Sequence, residues 1–281
     1  MLNAISDSRR LVAGVLLWVA AAAHAENELW QEVATGLAMP YGTLLVEDST
    51  YVSTVPEILS VDEQNGSSTV VATFAEGSPS GMLLDDDRTI VAVENGSGSL
   101  LRVDQDFNPI AIIAEGLGDP VTVKRFGKAY YVTDYNFGTG DGRLLRIGPS
   151  GQPKVYAKLS APGSFHIDEG GIVVAEFDSG TLVHITHQGR QKQIIAQDLG
   201  NPLDVVAYDD GYLVSDFGNF DGKKGRLLYV TRSGRVTVLG DGELGNPAGL
   251  LVQGGALYVT DLIGGRLLKA NLYQLFAQVR W

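Results

Sequence analysis

Apolar residues in this chain fall in short runs rich in Val, Ile, Leu and Tyr, and the runs are closed by Gly, Pro, Asn or Asp. Ala129-Tyr130-Tyr131-Val132-Thr133-Asp134 and Leu257-Tyr258-Val259-Thr260-Asp261 are typical. Runs of this length bounded by turn residues read as β-strands joined by tight turns.

The runs recur at a fixed period. Pro40, Pro79, Pro120, Pro162, Pro202 and Pro247 open successive units at steps of 39, 41, 42, 40 and 45 residues. Ser53, Glu94, Asp134, Glu176, Asp216 and Asp261 end the second strand of each unit, at steps of 41, 40, 42, 40 and 45. A third landmark agrees: Gly98-Ser99-Leu100-Leu101, Gly142-Arg143-Leu144-Leu145, Gly180-Thr181-Leu182-Val183, Gly225-Arg226-Leu227-Leu228 and Gly265-Arg266-Leu267-Leu268. Six repeats of about 40 residues, each with four β-patterned runs, predict an all-β, six-bladed β-propeller. The first repeat departs most, with Ser53 in place of the acid and Pro56-Glu57-Ile58-Leu59 in place of the glycine motif.

The chain ends fit a closed ring. The sixth repeat has no clear fourth strand, whereas residues 28–37 precede Pro40 as Ile112-Ile113-Ala114-Glu115-Gly116-Leu117 precedes Pro120. The N-terminal segment is therefore expected to complete the last blade and leave no open sheet edge. Residues 271–281 become an appendage, a short helix or, alternatively, an outer strand from Leu275 to Trp281.

Composition narrows the function classes. Of 281 residues 44% are apolar and 19% charged, with 35 Gly and no Cys. Average domains carry roughly 25% charged residues, so disorder and a basic nucleic-acid binder are excluded. The formal charge of −12 disfavours phosphate backbones and anionic lipid as partners. Lack of Cys removes disulfides, thiolate zinc sites, iron–sulfur clusters and thiol nucleophiles. Arg9 and Arg10, the apolar run Leu11 to Ala23 and Ala23-His24-Ala25 read as a cleaved secretory signal over residues 1–25. The expected product, 26–281, is exported to a periplasm or the medium without membrane insertion. The sequons Asn65-Gly66-Ser67 and Asn95-Gly96-Ser97 matter only in a glycosylating host.

The units resemble NHL repeats, and the whole is similar to the six-bladed propellers of the NHL and senescence-marker-protein/gluconolactonase/luciferin-regenerating-enzyme superfamily. The resemblance spans about residues 28–272 and implies fold more than activity. For the metal-dependent hydrolases it implies a divalent ion held by a Glu near the first proline loop, an Asn in Pro-Asn-Gly and an Asp in Pro-Asp-Gly. Here the frame reads Pro40-Tyr41-Gly42, Pro79-Ser80-Gly81 and Pro247-Ala248-Gly249. That ligand set does not carry over, and Glu76-Gly77-Ser78-Pro79 only loosely matches the Glu-bearing loop.

Up-and-down strands bring the proline loops and the acid-ending strands to one rim of the channel. Two of its loops are longer, Tyr135-Asn136-Phe137-Gly138-Thr139-Gly140-Asp141 and Phe217-Gly218-Asn219-Phe220-Asp221-Gly222-Lys223-Lys224. Insertions on one face mark a binding face, so Tyr41, Tyr135, Asn136, Phe137, Phe217, Asn219 and Phe220 are candidate contacts for a small molecule or protein partner. Glu94, Asp134, Glu176, Asp216 and Asp261 have two readings: caps of a recurring turn, or oxygen ligands of a divalent cation such as calcium. Asp221 in Asn219-x-Asp221-Gly222 lacks EF-hand spacing. His166 and Asp204 break the repeat on innermost strands. With Glu176 they are candidates for acid–base chemistry, against a reading as hydrogen-bonded channel lining. His184 and His187 read as surface residues. Two functions remain open: a non-catalytic binding scaffold, or a hydrolase or lyase of the lactonase type.

Overall fold

The computed structural model describes residues 29–74, 77–136, 141–187, 191–219 and 225–278. Residues 1–25, expected above to be a leader, and Glu76, Phe137, Phe220 and Asp221 lie outside the described residues. Six four-stranded antiparallel sheets form the blades of a propeller. Strands β2–β5 make blade one (43–73), β6–β9 blade two (79–114), β10–β13 blade three (120–159), β14–β17 blade four (162–196) and β18–β21 blade five (202–241). Blade six contains β22 (Pro247–Gln253), β23 (Ala256–Asp261) and β24 (Arg266–Asn271), and its outer strand is the N-terminal β1 (Gln31–Ala34).

The ring therefore closes as the repeat requires, with Gln31 opposite Lys269 and Glu32 opposite Leu268. The closing strand is shorter than 28–37, because a bulge between Glu32 and Ala34 and the positive φ of Gly36 (69°) turn the chain toward blade one. After β24 the chain forms α1 (Leu272–Ala277), capped by the Asn271 side chain accepting from the Gln274 N–H at 3.1 Å. Leu272 and Leu275 are buried against blades five and six, and Phe276 packs on Tyr208 and Tyr229 at centroid distances of 5.0 and 5.1 Å. The alternative of an outer strand from Leu275 onward is thus excluded for 275–277. Among the described residues no helix is long and apolar enough to cross a membrane.

The core is not one slab. Six apolar clusters lie one at each junction between neighbouring blades, and a seventh sits at the channel mouth. Phe165 on β14 (Pro162–Asp168), for example, is fully buried against Leu144 of blade three and Val174 of its own blade. Burying such a side chain stabilises by about 1.5–3 kcal/mol. Alternation along each strand serves both junctions of a blade, which is why the runs are apolar nearly throughout.

Polar contacts join the same blades at the rim. The hydroxyl before the strand-ending acid accepts an N–H of its own blade's inner strand and donates to a carbonyl of the next. In blade one the equivalent hydroxyl is Ser53 itself, so Thr54 rather than Ser53 stands at the acid's place: Ser53 Oγ accepts from Gly42 at 2.8 Å and donates to Ser80 O at 2.7 Å. Thr133 Oγ1 accepts from Thr122 at 3.2 Å and donates to Gly163 O at 2.7 Å. Ser215 Oγ links Asp204 N (2.9 Å) to Ala248 O (2.6 Å), and Thr260 Oγ1 links Gly249 N (2.8 Å) to Tyr41 O (2.8 Å). Val93 and Ala175 hold this place in blades two and four, where the clasp cannot form.

Candidate functional site

The site is built by the proline that opens each inner strand. Proline has no N–H to continue the ladder, and in blades two to six a register shift follows it directly, as between Pro202 and Asp204. Such an irregularity re-aims the next side chains. Two residues beyond the prolines stand Gly42, Gly81, Thr122, Ser164, Asp204 and Gly249. Thus three consecutive blades, three to five, offer a buried polar side chain at one level of the channel.

Tyr41, one residue after Pro40, crosses that level. Its side chain packs with Leu203, Phe217 and Ala248 of blades five and six, interacts with the Thr122 hydroxyl of blade three and feels the charge of Asp204. Blade four, which carries Ser164, faces blade one across the six-membered ring. Glycine at 249 makes room, since a Cβ there would lie 2.0 Å from Tyr41 O. The Tyr41 oxygen and Ser164 Oγ are both buried and lack a hydrogen-bond partner; Thr122 reaches the phenol outside hydrogen-bond geometry. Burial first, then the negative charge of Asp204, raises the Tyr41 pKa far above that of an ordinary tyrosine, so the hydroxyl remains a donor.

Residues that directly follow the strand-ending acids wall the mouth above this level. The Tyr135 ring meets Phe177 edge-on at 5.9 Å, Phe177 meets Phe217 at 6.0 Å, and Leu262 joins the same cluster. Each is anchored by its N–H on the residue before the blade's proline: Tyr135 on Asp119 O (3.0 Å), Phe177 on Ala161 O (3.0 Å), Phe217 on Asn201 O (2.9 Å) and Leu262 on Asn246 O (3.0 Å). Burial, then the charge of Asp178, pushes the Tyr135 pKa up to about 12.

The candidates from sequence are placed unequally. Tyr41, Asp204, Tyr135 and Phe217 belong to the mouth, but Phe217 is 1% exposed and serves as its buried floor rather than as a contact surface. Asn136 faces a groove of 620 Å³ between blades three and four, with Asp141, Arg143 and Lys192. Asn219 is held at its carbonyl by the Asn246 side chain at 3.3 Å. Phe137 and Phe220 lie outside the described residues. Thr122, Ser164, Phe177 and Leu262 were missed as site residues; their register relative to the prolines and acids was the available signal.

His166, Asp204 and Glu176 do not form one constellation. Asp204 accepts Val205 N–H and, across the junction, Leu250 N–H, both at 2.7 Å. His166 pairs with Val173, farther down the strand, and its Nε2 lies 3.4 Å from Asp168 Oδ2. Burial, then the Lys124 charge, lowers its pKa below the usual value, so the ring is neutral at pH 7. Glu176 turns outward to Ser160 N–H (2.9 Å), Thr181 (3.1 Å) and Lys192 (2.6 Å). His184 and His187 are half-buried clamps of the opposite face rather than surface residues: Nε2 of His184 is 3.0 Å from Gly170 O, and Nε2 of His187 is 2.6 Å from Asp168 O.

The recurrent acids also serve their own blades. Asp134, Asp216 and Asp261 accept from Arg143 (2.6 Å), Arg226 (2.7 Å) and Arg266 (2.7 Å) and cap the N–H of Asp119, Asn201 and Asn246 at 2.9 Å. Glu94 accepts from Ser97 of its turn at 2.5 Å. Among the described residues no three His, Cys, Asp or Glu side chains gather as a metal site. The calcium reading fits poorly here, since these carboxylates are engaged by Arg, Lys, Ser or backbone and the channel level offers Asp204 alone.

Fold and mouth together define a six-bladed β-propeller with an aromatic-walled channel entrance. Comparison with solved structures gives the same class. A structural-genomics target described as a gluconolactonase matches with a TM-score of 0.70 at 13% identity, over 86% of this chain and 91% of that one. A gluconolactonase from Xanthomonas campestris, described as important in glucose secondary metabolic pathways, matches with a TM-score of 0.71 at 16% identity, over 86% and 89%. A chain of the nidogen–laminin complex matches with a TM-score of 0.63 at 15% identity, over 75% and 83%. At these identities the likeness is one of fold. No protein-family model and no curated protein matches the sequence. The matches do not support the resemblance of the units to NHL repeats, which form a different propeller family from the gluconolactonases.

Proposed function

We propose that the chain is an exported, non-catalytic binding propeller that takes a small, largely apolar ligand at the channel mouth. The observation that supports this most is the wall of Tyr135, Phe177 and Leu262 over a polar throat. Such a site, apolar with a few directed polar groups, is what small-molecule recognition requires. The one carboxylate at the throat, Asp204, already binds two backbone N–H groups. General-base work would require a carboxylate or imidazole within reach of a substrate proton, and His166 lies lower on a different blade.

A second reading, a hydrolase acting on a lactone or ester, draws on the likeness to gluconolactonases. One experiment separates the two. The purified protein is assayed against a lactone and ester panel, with and without calcium, beside His166→Ala and Asp204→Asn. Turnover abolished by either substitution would establish the hydrolase and overturn the binding reading. Saturable ligand binding that perturbs Tyr135, without turnover, supports the scaffold.

A further inference from the structure

Asn-Gly-Ser occurs twice in the chain, at 65–67 and at 95–97, and the two copies stand in different surroundings. At the first copy the reactive groups are tied. Asn65 Nδ2 donates to Asp62 Oδ2 at 2.7 Å, its Oδ1 accepts from the Ser67 N–H at 2.8 Å, and the Gly66 N–H donates to Asp62 O at 2.8 Å. At the second copy, neither the Asn95 side chain nor the Gly96 N–H has a hydrogen-bond partner among the described residues. Only the frame around them is held: the Asn95 N–H donates to Ser78 O at 3.0 Å, the Gly98 N–H to Asn95 O at 3.3 Å, and Ser97 Oγ to Glu94 Oε2 at 2.5 Å. The bond to Ser78 also fixes where Asn95 stands. It is the blade-two counterpart of the bonds that anchor Tyr135, Phe177, Phe217 and Leu262, each on the residue before its blade's proline. Asn95 is therefore the blade-two member of the ring of residues around the channel mouth, an amide where blades three to six carry aromatic or aliphatic groups.

We propose that Asn95 is a self-modifying site: in the folded protein it deamidates through Gly96, and the reaction leaves a carboxylate on the blade-two side of the mouth. The Gly96 amide loses its proton to hydroxide, and the nitrogen attacks Asn95 Cγ. The N–Cγ bond forms and the Cγ–Nδ2 bond breaks. Ammonia leaves with a proton taken from water, which restores the hydroxide, and the two residues close into a five-membered succinimide. Water then opens one of the two ring carbonyls to give aspartate or isoaspartate. Nothing is oxidised or reduced, and water is the only co-reactant. Glycine at 96 lets the backbone nitrogen come this close, since it carries no Cβ. Asn65 has the same three residues and a more exposed side chain, so sequence gives no preference and exposure favours Asn65. The hydrogen bonds reverse that order. Closing the ring at Asn65 breaks three of them, and at Asn95 there are none of these to break. The reaction needs no ligand, so it goes beyond the binding reading of the mouth and does not depend on it.

The test follows both copies in one sample. The whole protein, made in a host without N-glycosylation, is incubated at neutral and alkaline pH. After digestion, the two Asn-Gly peptides are followed by mass spectrometry for conversion of amide to acid. Asn95 should convert at least about tenfold faster than Asn65, the worth of three hydrogen bonds at the low end of their net value. The Asn95 rate should rise with pH, and the converted protein should be held longer on an anion exchanger by its added charge. In urea, where the fold no longer separates the copies, the two rates should be nearly equal. Gly96→Ala should slow Asn95 and leave Asn65 unchanged, whereas Asp62→Ala, which releases Asn65 Nδ2, should speed Asn65 alone. The comparison of the two native copies needs no variant to fold. Equal rates in the folded protein, a faster Asn65, an Asn95 that converts only in urea, a rate indifferent to pH, or folded variants without effect would each overturn the proposal.

Discussion

Thr260→Val isolates the clasp at the closure of the ring. The substitution keeps the shape of a fully buried side chain and removes only its hydroxyl. Gly249 N–H then loses its acceptor at 2.8 Å, and Tyr41 C=O loses its donor at 2.8 Å. Both groups lie inside the six-to-one junction, where the added methyl leaves no room for water. With about 1–3 kcal/mol for each buried group left unpaired, less a fraction recovered by the methyl, the expected loss is about 2–4 kcal/mol. Thr260→Ser, which keeps the hydroxyl, should cost about 1 kcal/mol for its methylene-sized deletion. The assay is urea unfolding followed by tryptophan fluorescence, read as a shift of midpoint at constant slope. A Thr260→Val protein within about 0.5 kcal/mol of the parent, the range of neutral surface changes, would refute the clasp as a source of stability.

Glu63 makes acid sensitivity at the same junction testable. Burial alone would raise its pKa, but hydrogen bonds from Lys269 (2.7 Å), Thr50 (2.6 Å) and Tyr258 (3.0 Å) outweigh this and hold it below the ordinary 4.5. A depressed folded-state pKa means that the unfolded chain binds the proton first, so the contribution is complete above pH 4.5 and is lost as pH falls toward the folded value. Glu63→Gln should therefore flatten stability against pH below about 4.5, as measured by urea midpoints from pH 3 to 7. Separately, Arg226→Met strips a carboxylate that is 5% exposed of its partner at 2.7 Å. Because the guanidinium itself is one-third exposed, the cost should be about 1–3 kcal/mol rather than the full 3–5 of a wholly buried pair; a midpoint unchanged in urea would contradict this.

The ring was legible because its physics is periodic. Every blade needs a proline start, a strand buried on both sides and a turn, so Pro120, Asp134 and Gly142 each have a counterpart about 40 residues away. Closure by the N-terminal strand followed from the missing fourth strand of the last repeat. The site was only half legible. Asp204 stood out as a departure from the repeat and Tyr41 as a candidate contact in its Pro-x-Gly frame, but Ser164, at the same register as Asp204, looks like one more small turn residue. Phe217 and Phe177 share one position in the repeat, yet one is buried and the other partly open. Periodicity assigns a residue to an element; which neighbour it meets across the channel depends on blades more than 100 residues apart, and no local pattern encodes that.

The acid and the residue before it vary together, which explains how the rim can differ from blade to blade without opening the ring. Thr133-Asp134, Ser215-Asp216 and Thr260-Asp261 combine a clasping hydroxyl with a short carboxylate held by Arg143, Arg226 and Arg266. Val93-Glu94 and Ala175-Glu176 lack the hydroxyl, and their longer acids reach hydroxyls in or beside their own turns, Ser97 for Glu94 and Thr181 for Glu176. The junctions after blades two and four must then be held elsewhere. Between blades two and three, Asp85 on the opposite face takes Arg102 at 3.0 Å together with Arg125 and Tyr130. Between blades four and five, ten buried residues from Val173 to Val230 carry the contact with the Phe177–Phe217 ring pair above them. That junction is where Ser164 and Asp204 stand side by side. The hydroxyl clasp is thus absent from the junction where the inner strands opening at Pro162 and Pro202 meet, and apolar packing holds that junction instead.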